Sequence, residues 1–207
     1  MIATLASPKG AAVEVLAVTW RSCLLRAAIL RSHLAWARQR PLVDMEDLWG
    51  RMPNDMKSRR PETIHDDEWI PFASLILFDK AVVRACRDLA EDAVLFSLGR
   101  ASAEQNFGGG LGLERGVNIH SHFWDAGTHH ARFQDFGKCE YEPMGARSFR
   151  MTYSDYPVKS RVFCLSACGY FQASIEFLGG QDAIVEERFC QCLGDDRCTF
   201  LVSWEGR

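Results

Sequence analysis

Between Val13 and Arg38 the apolar residues Val13, Leu16, Trp20, Leu24, Ala27, Leu30 and Leu34 recur at spacings of three and four. That period lays them along one stripe, so the segment predicts an amphipathic helix. Its other faces carry Arg21, Arg26, Arg31 and Arg38, with Glu14 the sole acid. A basic helix of this kind can meet DNA, an acidic membrane or a partner subunit, and it is equally what a solvated face over a buried stripe looks like. Residues 1–12 are small and mixed and predict a flexible tail.

Three prolines and many charges between Arg38 and Glu62 predict a short helix between loops. Asp66 or Asp67 can cap the next helix. Residues 68–107 read as two or three successive helices, with Cys86 on an apolar stripe beside Val83 and Leu89 as a core thiol. The run FGGGLG, residues 107–112, breaks that pattern. It lacks the Gly-Lys-Ser/Thr of a phosphate loop and the last glycine of a dinucleotide fingerprint, so it predicts a flexible connector. Residues 117–130 predict another helix. Residues 135–143 and 146–155 read as two strands joined by a turn at Pro143–Gly145. Phe163, Ala167, Tyr170, Phe171, Ile175 and Leu178 mark a helix closed by Gly179 and Gly180. Residues 183–192 and 198–204 alternate around LGDDR as a hairpin. Helices first and an antiparallel sheet afterwards predict an α+β fold. Its helical N-terminal half spans 13–106, and 107–207 hold the sheet, its packed helices and the C-terminal hairpin.

Composition narrows the setting. A formal charge of −3 over 207 residues gives no electrostatic reason for direct nucleic-acid binding by the whole chain. Of its 24 basic residues 19 are Arg, which suits ion pairing more than solvation. No uncharged stretch approaches the roughly 18–20 residues that span a bilayer. The first 20 residues, with Lys9 and Glu14, do not read as a secretory signal. A cytoplasmic location is therefore expected. There, clustered cysteines are metal ligands or reduced thiols rather than disulfides.

Five of the eight cysteines fall in the last 44 residues. Glu187 and Cys190 end one hairpin strand and Cys198 opens the other, so the turn brings them near each other. Cys164, at the start of the preceding helix, can supply a fourth ligand. Three thiolates and a carboxylate make a closed tetrahedral zinc site, and soft thiolates favour zinc or an iron–sulfur cluster over magnesium or calcium. Cys168 and Cys192 are spare, and Cys192, two residues from Cys190, can substitute for a ligand or support one. A separate group, His122, Asp125 and His129, faces one way on a helix. It fits either a catalytic metal or plain half-exposed helix residues.

The pattern Cys164, Gly169-Tyr170, Glu187-x-x-Cys190-x7-Cys198 and then Phe200 resembles the 4-vinyl reductase domain. That domain also forms the effector-sensing part of bacterial phenol- and xylene-responsive regulators. The resemblance covers roughly residues 107–207. The segment EWIPFASLILFDKAV, residues 68–82, resembles the helical half of the haem-nitric-oxide-binding fold. The first resemblance implies zinc on Cys164, Glu187, Cys190 and Cys198. It also implies a small hydrophobic or aromatic ligand lined by His120, His122, Trp124, Tyr141, Tyr170 and Phe171. The strand around Cys139–Pro143 has no Trp, a departure from the phenol sensors. No ATPase module or helix-turn-helix is recognisable, so the expectation is a sensor module that acts through a separate regulatory protein, as a homodimer with the N-terminal helix as possible contact. The alternative is an enzyme or accessory factor in tetrapyrrole or other hydrophobic-metabolite reduction, which needs a redox cofactor or an open metal position.

Overall fold

The computed structural model describes residues 22–110 and 118–206. The predicted tail, the start of the predicted first helix and the last two residues of the glycine connector, 111 and 112, lie outside them. The chain first forms a short strand, β1 (Leu24–Arg26), and then helix α1 (Ala27–Arg38). The helical stripe predicted from Val13 is therefore extended at Leu24. β1 pairs with β2 (Trp69–Pro71), a partner more than forty residues away that periodicity cannot see. The basic face of α1 is spent inside the chain: Arg31 pairs with Asp66 at 2.5 Å, Arg38 with Glu62, and Arg26 lies over the Trp69 ring at 4.2 Å.

Two short helices come next, α2 (Met45–Gly50) and α3 (Asn54–Lys57). Asp44 caps α2 by accepting hydrogen bonds from the amides of Glu46 and Asp47, which satisfies donors a helix start leaves open. After β2 the chain enters α4 (Phe72–Ala85), which starts on Pro71 without a side-chain cap. Asp66 and Asp67 precede β2 instead of capping a helix. α5 (Glu91–Gln105) runs into a wide turn at Asn106–Gly110. The predicted helix over 117–130 is two helices, α6 (Ile119–Phe123) and α7 (Ala126–Phe133), because Trp124 and Asp125 break it and Asn118 caps the first.

The remaining elements keep the predicted order. β3 (Lys138–Gly145) and β4 (Ser148–Ser154) form a hairpin whose turn sits at Ala146–Arg147, slightly beyond the predicted Pro143–Gly145. α8 (Arg161–Phe177) crosses to β5 (Gly180–Phe189) and β6 (Cys198–Gly206), completing an antiparallel sheet in the order β3-β4-β6-β5. Gly179, at φ +97°, turns the chain out of α8 in a conformation that costs an L side chain strain.

α8 holds the layers together. Its sheet-facing residues Phe171 and Ile175 meet the buried row Phe149, Met151, Phe200 and Val202. On its other side it lies against α5 almost backbone to backbone: a Cβ on Gly99 would overlap the Ser166 carbonyl, and one on Gly169 would overlap the Phe96 carbonyl. Arg100 adds an ion pair to Glu176 at 2.7 Å, and Asn106 donates to the Tyr170 hydroxyl at 3.2 Å. Deeper in the helical half His33 Nδ1 and Asp79 Oδ1 are 2.7 Å apart and fully buried, a pair that closes the α1–α4 contact.

Inserting even a methyl between α5 and α8 forces the helices apart. Gly169→Ala is expected to destabilise the protein by roughly 1–3 kcal/mol or more, measured by denaturant unfolding. An unchanged midpoint would mean that the helices do not pack this closely.

Candidate ligand cavity and thiolate cluster

A cavity of about 410 Å³ opens between α1, α5, α7, β4 and α8. Its apolar walls come from the helices and the sheet: Ile29 on α1, Phe123 and Ala126 around the α6–α7 break, Met151 on β4, and Phe163, Ala167 and Phe171 on α8. A few polar groups punctuate them. Ser32 and Ser102 bond to each other at 2.7 Å across α1 and α5. Tyr170 and Tyr153 line the wall, and burial pushes both phenols above their ordinary range. Burial likewise pushes the Cys139 thiol up to about 12. Three imidazoles reach the cavity: His122, His129 and His130. His122 is held down to about 4, chiefly by burial and then by the neighbouring His129, whose ring lies 5.8 Å away. Burial also lowers His130, which donates through Nε2 to the Tyr156 hydroxyl at 2.8 Å, while Tyr156 donates to Gln134 at 2.7 Å. His122, His130, the two phenols and the Cys139 thiol thus present neutral donors and acceptors at pH 7. The charges Arg26, Arg132, Asp66 and Asp67 belong to β1, α7 and the segment before β2.

Of the six side chains expected to line a pocket, His122, Tyr170 and Phe171 are on this wall. The other three are not. The α6–α7 break turns His120 toward the β3 hairpin, where it accepts from the Tyr141 hydroxyl and donates to the Ala146 carbonyl at 2.9 Å. Trp124 sits at the break, 71 % exposed and edge-on to Tyr141. His129, His130, Tyr153 and Phe163 are walls that the sequence does not single out, since each lies on an element whose facing depends on a distant partner. His122, Asp125 and His129 do not converge as a metal-type group, and Asp125 is exposed.

The second feature lies beside the cavity. The ligand atoms of Cys164, Glu187, Cys190 and Cys198 all fall within 4.8 Å of one another, the sole such group among the described residues. Local structure explains the convergence. A bulge between Glu187 and Phe189 shifts the β5–β6 register, and bulges re-aim side chains. After it the chain makes a tight helical turn, Gln191–Leu193, closed by Gly194 at φ +108°. Asp195 ties that turn by accepting from the Cys190 amide at 2.7 Å, and the Gln191 amide donates to Cys198 Sγ at 3.3 Å. Cys192 is therefore on a turn rather than on the Cys190 side of a strand, and it and Cys168 stand outside the group.

From the first turn of α8, Cys164 brings its sulfur to 3.5 Å from Cys198 and 3.8 Å from Cys190. Cys164 and Cys198 are hydrogen-bonded to each other. The hydrogen bond from Cys164, opposed by burial, holds the Cys198 thiol down to about 6, while the same bond and burial push Cys164 up. All eight cysteines are free thiols. The two features touch through the sheet, because Tyr153 on the cavity wall is the register partner of Cys198.

No protein-family model and no curated protein matches the sequence. Solved structures do match in fold. An H-NOX protein from S. oneidensis in the Fe(II)NO ligation state superposes with a TM-score of 0.59 at 13% identity, covering 88% of this chain and 100% of its own. An oxygen-binding H-NOX domain related to soluble guanylate cyclases gives 0.60 at 14%, covering 88% and 96%. A protein studied for the effect of porphyrin distortion on haem redox potential gives 0.58 at 14%, covering 86% and 99%. The chain has the α+β fold of these H-NOX structures.

They also correct the zinc expectation. Of these three, one is named in an Fe(II)NO state, one as an oxygen complex and one by its haem, and none of them supports zinc as this chain's cofactor. The physical reason is that thiolate spacing counts ligands without choosing the ion: cysteine sulfurs take iron as well as zinc.

A cavity of about 410 Å³ lies toward the low end of the roughly 300–1,000 Å³ of ligand sites, a size that suits a compact molecule better than a tetrapyrrole.

A group whose folded pKa is depressed stabilises the fold above its unfolded pKa and loses that contribution as pH falls toward the folded value. For His122 the window runs from about 6.5 down to about 4. The melting temperature is expected to fall across that window, and less so in His122→Gln. Equal pH profiles for the two proteins would contradict the buried neutral imidazole.

Proposed function

We propose that the chain is a sensor module rather than an enzyme, holding a compact hydrophobic molecule of one or two rings in the cavity. One observation carries this reading: an interior space of about 410 Å³, walled mainly by apolar side chains with a few neutral polar groups. Ligand sites have this character, and their volumes run from roughly 300 to 1,000 Å³. Aromatic walls such as Phe163 and Phe171 suit a flat apolar ring, and the unprotonated His122 offers it one hydrogen bond. A fold shared with gas-binding H-NOX proteins supports a sensing role.

The thiolate cluster is read as the site of one metal ion, which joins α8 to the β5–β6 hairpin beside the cavity. The convergence of these four side chains supports treating them as one ligand set, the set that the resemblance to the 4-vinyl reductase domain implies. Coordination bonds would set the hairpin, and so the cavity wall, more firmly than side-chain packing does. Among the described residues no helix is long and apolar enough to cross a membrane, which is compatible with work in the cytoplasm. The module would act as a homodimer and pass its signal to a separate regulatory protein. The modest volume of the cavity favours the sensor reading over a role in tetrapyrrole reduction.

Thermal-shift screening of one- and two-ring aromatic molecules tests the proposal. A binder at a hundred times its Kd should stabilise the protein by about 2.7 kcal/mol. Ala167→Trp, which fills the cavity, should keep the fold and abolish the shift. Stoichiometric haem uptake, or a shift unchanged in Ala167→Trp, would contradict it.

A further inference from the structure

We infer that Arg161 is a positioning residue for the thiolate cluster, holding Glu187 as the fourth ligand. The inference rests on reading that cluster as a metal site. Arg161 is the first residue of α8, three before Cys164, so the two side chains share one face of the helix. Its guanidinium lies against Oε2 of Glu187 and reaches to 3.9 Å from Cys190 Sγ. Glu187 is only 10 % exposed, and its other oxygen, Oε1, is buried with no hydrogen-bond partner. A carboxylate oxygen in that position is costly unless something electropositive meets it. The carboxylate is thus divided: Arg161 engages one oxygen, and the other is left for an ion held by the three sulfurs.

Arginine suits this task. Its planar fork fixes the carboxylate in orientation as well as in charge, which an ammonium on a flexible stem does not. It also offsets part of a ligand set whose three thiolates and carboxylate carry more negative charge than a divalent ion neutralises. The other arginines of the hairpin are committed elsewhere, Arg188 to Glu186 and Arg197 to Asp196. Groups one step beyond a metal's ligands orient those ligands and tune affinity.

Titration of the metal-free protein with Co(II), followed by thiolate-to-cobalt absorption in competition with a chelator, tests the assignment. Arg161→Gln should weaken Co(II) binding by roughly 10- to 100-fold, with Arg161→Lys intermediate. In a Glu187→Gln background the Arg161→Gln change should cost nothing further, because its effect passes through that carboxylate. Wild-type affinity in Arg161→Gln, or the same loss in both backgrounds, would overturn the assignment. Far-UV circular dichroism of the metal-free variants separates these results from misfolding; should Arg161→Gln not fold, the Arg161→Lys comparison carries the test. A wild-type protein that takes up no Co(II) with thiolate absorption would overturn the metal reading itself, a result distinct from a wild type that binds and an Arg161→Gln that binds equally well.

Discussion

Two helix backbones pressed together at Gly99 and Gly169 set the frame of this molecule. Because neither position carries a Cβ, α8 settles against α5 along a face lined by Ser166, Phe96 and their neighbours. Once that contact is made, the remaining faces of α8 are assigned. One face meets the sheet through Phe171 and Ile175, one closes the cavity through Phe163, Ala167 and Tyr170, and its first turn delivers Arg161 and Cys164 to the hairpin. A single helix therefore joins the helical layer, the ligand space and the thiolate cluster.

That arrangement couples the two candidate sites by ordinary packing. Phe163 and Cys164 are consecutive, so anything that moves the cavity wall at Phe163 also moves a thiolate. Tyr153 and Cys198 are register partners, so the sheet makes the same connection from the other side. Tyr156 adds a polar link, accepting from His130 at the cavity and lying beside the Cys164 end of α8. A ligand that reshapes the space between α5 and α8 has a short mechanical path to the hairpin, which is the kind of element through which a sensor can present its state to a partner.

What is legible in the sequence is local. The α8 stripe, its glycine stop and the Glu187–Cys190–Cys198 hairpin depend on residues close together in the chain, and periodicity and turn chemistry find them. Cys164 is within reach of the same reasoning because it opens the adjacent helix. β1 escapes it because Leu24–Arg26 is extended only through its pairing with Trp69–Pro71. His120, Trp124 and Tyr141 read as pocket wall through the family resemblance, which does not say where this chain's helix breaks or which face of β3 meets the cavity. The cavity is a gap among elements distant in the chain, and a gap has no residue pattern of its own. Gly169 shows the same limit: its place in a helix is readable, but its reason is a carbonyl some seventy residues away at Phe96. The identity of a metal ion is further still from the sequence, since sulfur ligands admit several.

The claim on which most rests is that Cys164, Glu187, Cys190 and Cys198 act together as one coordination unit. Elemental analysis of the purified wild-type chain beside Cys198→Ser tests it directly. About one thiophilic metal ion per wild-type chain, absent from the variant, is the expected result. A wild type free of metal, or a variant that keeps its full complement, would contradict it and leave the cluster as four packed side chains.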